Sequence, residues 1–130
     1  MKDVLIVGVG GGLGAVARFL MGAWVLNQAP NLRFPLGTFL VNVIGCLVAG
    51  LLAALAVRWH LFSQDVRLFL FTGLLGGFTT FSAFGLETVM LMRRGEYVVA
   101  FWYVGLSVLC GVAVLGLMMS LLAPTAVDQN

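Results

Sequence analysis

Apolar residues run with scarcely a break from Val4 to Leu26, Leu36 to Val57, Leu68 to Met92 and Val98 to Leu122. At about 1.5 Å of rise per residue, each run as a helix crosses a hydrocarbon core of ~30 Å. Polar punctuation separates them. Asn27 to Pro35 holds Pro30, Arg33 and Pro35, Ser63 to Arg67 is a short turn, and Arg93-Arg94-Gly95-Glu96 is another. Ser63 is placed to cap the helix that follows. Trp59, Trp102 and Tyr103 fall at run ends, where amphipathic rings favour the membrane interface. Ala123 to Asn130 is a polar tail. The pattern predicts an all-α membrane protein with four transmembrane helices, organised as one domain over residues 1–130. The first run could instead be a signal peptide, since Ala15-Val16-Ala17 resembles a cleavage site. Against that, the run continues past Arg18, and Lys2-Asp3 is not a strongly basic start.

The third run breaks its own pattern. Gly73, Gly76 and Gly77 precede Thr79-Thr80, and Phe81 and Phe84 follow. Glycine costs a helix interior roughly 1 kcal/mol relative to alanine. A broken helix in lipid also frees backbone N–H and C=O groups, which are costly unless paired. The sequence therefore predicts a third helix broken near Gly76–Thr80, with the freed groups satisfied by protein, water or an ion. In the first run, Gly8 and Gly12 form one small-xxx-small pair and Gly10 and Gly14 another, the spacing that lets helix backbones approach closely.

Composition narrows the class further. The chain is 62% hydrophobic and only 9% charged, against about 25% charged in a soluble domain. Its net charge of +2 is small and scattered, which excludes a nucleic-acid partner. The single histidine, His60, and the distant Cys46 and Cys110 offer neither metal-site spacing nor a catalytic motif, so no enzyme is indicated. With four spans, both termini share one side of the membrane. Lys2, Arg58 and Arg67 lie on that side, Arg33, Arg93 and Arg94 on the other. Orientation follows Lys/Arg asymmetry, and here there is none. Copies are expected to insert both ways up and to pair antiparallel about an axis in the membrane plane. A four-helix bundle fills its own centre, so a water-filled path is easier to build between two subunits.

Polar groups inside the runs are the candidates for function. Asn42 stands alone in the second run and serves either as helix–helix glue or as a substrate-facing group. Glu87 is a costly carboxylate that should face a cavity or a partner, and it shares a helical face with Thr80 and Phe84. Arg18 either snorkels to the interface or lines a wet vestibule that draws in anions. Thr72, Thr88 and Ser107 can bond back to their own helices. Phe81 and Phe84 would ordinarily be packing residues, but they sit beside the expected break.

These residues also match a known family. Gly76-Gly77-Phe78-Thr79-Thr80-Phe81-Ser82-Ala83-Phe84, followed by Glu87-Thr88, resembles the signature of the Fluc (CrcB) fluoride channels. Phe34-Pro35-Leu36-Gly37-Thr38-Phe39-Leu40-Val41-Asn42-Val43-Ile44-Gly45 resembles the family's second-span motif, and Gly11-Gly12-Leu13-Gly14-Ala15-Val16-Ala17-Arg18 its first. Ala83 stands where many members carry threonine or serine. The resemblance implies a dual-topology antiparallel homodimer in the bacterial inner membrane, surrounded by lipid, with two pores that export fluoride passively and so lower its toxicity in the cytoplasm. It implies that Phe81 and Phe84 offer ring edges to fluoride, which is physically sound because an aromatic quadrupole is positive at the edge. It gives Asn42 a donor role, makes Thr80, Ser82, Tyr103 and Ser107 polar lining, and puts Glu87 beside the pathway. It also implies a structural sodium ion at the dimer centre, held by the carbonyls of Gly76 and Thr79 from both subunits.

Two other classes compete. A small proton-coupled exporter needs a carboxylate deep in the membrane, yet the first run carries Arg18 and the only candidate acid, Glu87, lies near a run end. A scaffold subunit needs small-residue contacts but no helix break.

Overall fold

The computed structural model describes residues 1–59 and 61–122. His60 and the Ala123–Asn130 tail lie outside the described residues. Helix α1 covers Lys2–Gln28 and α2 covers Leu36–Trp59. The third span begins with α3 (Gln64–Arg67), continues as a π-helix over Leu68–Leu75, and reaches its interruption through one short turn, α4 (Gly76–Phe78). Helices α5 (Phe81–Arg93) and α6 (Tyr97–Leu122) complete the chain. Four helical stretches are long and apolar enough to cross a membrane, the third being Gln64–Arg93 taken whole. Each outruns its apolar run slightly, because flanking polar residues extend the helix toward the interface.

The termini of these helices follow local chemistry. The Ser63 hydroxyl accepts from the Val66 N–H and starts α3. The turn from α5 to α6 is a Schellman motif: Glu96 N–H donates to the Leu91 carbonyl at 2.9 Å and Gly95 N–H to that of Met92 at 3.0 Å. Gly95 has φ +78, which glycine adopts without steric cost.

Packing brings α2 against α6 and α1 against the π-helix and α4. The second of these contacts is made backbone to backbone. A Cβ on Gly10 would lie 2.8 Å from the Phe69 carbonyl oxygen and 3.0 Å from the Gly73 Cα. A Cβ on Gly14 would collide with the Leu74 carbonyl, and one on Gly77 with the Gly11 carbonyl. By contrast, Gly8 and Gly12 face open space within this subunit. Of the two small-xxx-small pairs in α1, only Gly10 and Gly14 form the intramolecular seam.

Near the α5–α6 turn, the core gathers Leu91, Ala100 and Tyr103, with Phe34, Phe39, Phe84 and Val99 packed around them. Elsewhere large apolar side chains such as Phe19, Trp24, Phe101 and Leu109 face outward. In water that surface would be prohibitive, and in a bilayer it is the ordinary exterior.

The Gly10–Gly14 seam has a direct consequence. Gly14→Ala should overpack the α1 crossing and destabilise the protein by about 1–3 kcal/mol, whereas Gly12→Ala should be nearly neutral for subunit folding. Thermal unfolding of both variants in detergent checks this, and equal midpoints would remove Gly14 from the seam.

Candidate functional site

Gly73, Gly76 and Gly77 all remain helical. The extended residues are Thr79 (φ −77, ψ 157) and Thr80 (φ −148, ψ 119). Gly73 and Gly77 are thus needed for close approach to α1, and the extended backbone falls on two threonines.

Asn42, from the second turn of α2, holds Thr80 in that conformation. Its Oδ1 accepts from the Thr80 N–H at 2.8 Å, and its Nδ2 donates to the Thr80 carbonyl at 3.0 Å. Asn42 is therefore glue in this subunit, and one hydrogen on Nδ2 remains for another acceptor. Thr80 in turn caps α5, its Oγ1 accepting from the Ala83 N–H at 3.2 Å. The Ser82 hydroxyl lies 3.4 Å from that Oγ1.

These bonds divert two donors from the helical ladder. Thr80 N–H would otherwise reach the Gly76 carbonyl, and Ala83 N–H the Thr79 carbonyl. Both carbonyls are released from their helical partners, and both are hard oxygens suited to a hard cation. No cluster of His, Cys, Asp and Glu that could hold a metal occurs among the described residues, so a cation here would rest on main-chain oxygen. Gly76 and Thr79 border one cavity of about 260 Å³. The fit is good for Gly76 and shared for Thr79, whose carbonyl also accepts from Arg18 Nη1 at 3.3 Å. Arg18 does not snorkel away; it reaches the extended turn and borders a cavity of about 420 Å³ with Thr38, Thr80 and Ser82.

The second half of the site lies toward α6. Glu87 accepts from the Thr38 hydroxyl at 2.8 Å and from the Tyr103 hydroxyl at 2.6 Å, one bond to each carboxylate oxygen. Tyr103 is fully buried. Its ring meets Phe84 at 5.2 Å between centroids and Phe34 edge-on at 5.3 Å. Phe81 and Phe84 lie 5.7 Å apart, yet their surroundings differ: Phe84 joins the core while Phe81 is 84% exposed. Ser107, one turn beyond Tyr103 on α6, has a buried hydroxyl with no partner among the described residues. Thr88 spends its hydroxyl on the Phe84 carbonyl at 2.8 Å and is not free for a ligand.

The structure thus brings Arg18, Asn42, Thr79, Thr80 and Ser82 together at the turn, and Phe84, Glu87 and Tyr103 together at α6. Thr38 joins the two groups, bordering the first and donating to Glu87. The apolar pattern conceals it, because a threonine one turn before Asn42 looks like any helix threonine. Its only signal is its place in the Gly37-Thr38…Asn42 run.

Comparison with known proteins adds independent findings. The sequence profile of a family described as CrcB-like protein, Camphor Resistance (CrcB), matches residues 5–119. A protein of Methylobacillus flagellatus named fluoride-specific ion channel FluC is 50% identical over 117 residues, covering 90% of this chain and 91% of that protein. Proteins with the same name from Rhizobium etli and Francisella tularensis subsp. mediasiatica are 47% identical over 108 residues and 46% over 113, covering 83% and 82% of this chain and 86% and 83% of their own lengths.

The Asn42 contact can be tested on stability alone. Asn42→Asp keeps the acceptor for Thr80 N–H but replaces the donor with an oxygen facing the Thr80 carbonyl. A loss of about 1–3 kcal/mol is expected, seen as a lower unfolding midpoint in detergent, and an unchanged midpoint would mean that the turn holds without it.

Proposed function

The chain belongs to the CrcB family, and from that premise we propose that it is a fluoride-specific channel of the membrane rather than an enzyme. The observation that carries this is the match over nine-tenths of the chain to a protein named for that activity. The geometry supplies the means. Fluoride is small and strongly hydrated, so a path for it must replace water with donors and positive edges. The Arg18 cavity at the turn is the vestibule, where a guanidinium and the hydroxyls of Thr80 and Ser82 receive the anion. The remaining Nδ2 hydrogen of Asn42 is a further donor. The rings of Phe81 and Phe84 then offer their edges, and the unpartnered Ser107 hydroxyl continues the polar line along α6, beyond a Tyr103 whose own O–H is held by Glu87.

Phe81 is bare in a single subunit. A second copy, antiparallel as the charge balance favours, would enclose it and give two pathways per dimer. Gly76 and Thr79 of both copies would hold the sodium ion, which supplies fixed positive charge near the path. The reading places the protein in the bacterial inner membrane, passing fluoride outward down its gradient. No feature favours proton-coupled export, since Glu87 is tied to two hydroxyls within the core group.

Purified protein in liposomes should release fluoride and not chloride, read by ion-selective electrodes. Phe81→Ile and Phe84→Ile should each cut fluoride flux by at least about tenfold, as loss of ~1.4 kcal/mol of ion stabilisation would, with the dimer intact by size exclusion. Chloride release equal to that of fluoride would falsify the assignment. Prolonged exchange of sodium for a bulky organic cation should lower flux, and its return should restore it.

A tag at the C-terminus should be reachable from both faces of the membrane, and two added lysines in one loop should bias it to one face. Labelling of the wild type from one face only would rule out dual topology.

A further inference from the structure

Resting on the channel reading, we propose that Arg33 is an anion-recruiting side chain at the mouth of a second cavity, and that Glu96 sets its strength. The cavity, about 270 Å³, lies between the end of α1, the 29–35 loop and the first turn of α2. Arg33 is at its loop side, and Thr38 and Glu87 are at its helix side. Thr38 also borders the cavity that holds Arg18. The two cavities therefore share Thr38 as a lining residue, and each has an arginine on its wall. An anion passing between the loop face and the extended turn has a cation at either end of that route.

The inner part of this route needs such a cation. Glu87 puts a carboxyl group on the cavity wall, with one hydroxyl on each of its oxygens and no cation beside it among the described residues. The α2 backbone begins here, at Leu36, and its positive dipole end opposes Glu87 only in part. Arg33 is the one charged side chain of the wall with the right sign.

Its pairing leaves it able to serve. Glu96 holds Arg33 through one nitrogen: Nη1 lies 3.1 Å from Oε1 and 3.3 Å from Oε2. A guanidinium has five N–H donors, so Nε and Nη2 are not committed by this pair. The Arg33 side chain is 77% exposed, and exposed pairs of this kind are weak, ~0–1 kcal/mol. An approaching anion can compete for it. Glu96 reaches Arg33 from the α5–α6 turn, so it lowers the potential of the mouth without entering the cavity.

The decisive feature is sign. Were the pair merely structural, removing either partner would do the same harm. If Arg33 recruits anions and Glu96 attenuates it, the two removals act oppositely. Wild type, Arg33→Gln, Arg33→Lys and Glu96→Gln are reconstituted at equal dimer content, and initial fluoride flux is read at low fluoride and low ionic strength. Arg33→Gln should lower flux and Glu96→Gln raise it, each roughly two- to fivefold, the low end of electrostatic steering. Arg33→Lys should restore most of the loss. Both effects should fade near 0.5 M of an impermeant salt, as screening of exposed charge requires (roughly 3–8 Å Debye length). Flux changes of the same sign in Arg33→Gln and Glu96→Gln, or changes that persist in high salt, would overturn the inference while wild-type conduction upheld the channel. Should Arg33→Gln not assemble, the sign and salt response of Glu96→Gln decide alone. A wild type that passes no fluoride would overturn the channel reading and this inference with it.

Discussion

One side-chain amide holds two residues out of a helix that would otherwise run on. The Asn42–Thr80 pair exchanges two hydrogen bonds between a side chain and a backbone, and much of the site hangs from it. Because Thr80 N–H is committed to α2, the Gly76 carbonyl loses its helical donor. Because Thr80 is extended, its hydroxyl can cap α5 and aim that helix at α6. Because α5 starts there, Phe84 and Glu87 reach Tyr103. In an apolar medium unsatisfied backbone groups cost several kcal/mol each. Asn42, Arg18 and the Thr80 hydroxyl take up the Thr80 N–H and carbonyl, the Thr79 carbonyl and the Ala83 N–H, which lowers that cost.

The large-scale fold was legible in the sequence because lipid imposes a simple rule. Four runs of apolar residues had to become four helical spans, and Ser63 had to start a helix. Finer features were not legible. Gly8–Gly12 and Gly10–Gly14 are equivalent as spacing, and only the rotation of α1 against the π-helix selects the second pair for the seam. The glycines at 73, 76 and 77 suggested broken backbone by their helix cost, whereas all three stay helical and two of them, Gly73 and Gly77, serve contact with α1. The π winding of Leu68–Leu75 leaves no mark in the residues, since it depends on how that segment must meet α1. Asn42 was conspicuous as a lone amide, but its partner is a backbone, which carries no signature in a sequence.

Within the site, polar groups fall into two kinds, and the difference follows from their partners. Asn42, Glu87, Thr88 and Tyr103 each have an intramolecular hydrogen bond, so they shape the surroundings of the path more than they give way along it. Ser107, with a buried and unpartnered hydroxyl, and Phe81, with a bare ring, are incomplete in one subunit. A buried polar atom without a partner costs about 1–3 kcal/mol, and the Phe81 ring has only Phe84 as an aromatic neighbour. The Ser107 cost disappears if a passing anion accepts from its hydroxyl, and the Phe81 ring is enclosed if a second subunit covers it. Ser107 lies one turn beyond Tyr103 on α6, and Phe81 lies about two turns before Glu87 and Thr88 on α5. That is the arrangement a selective path needs: a frame that does not yield, bearing a few positions that remain open to an ion.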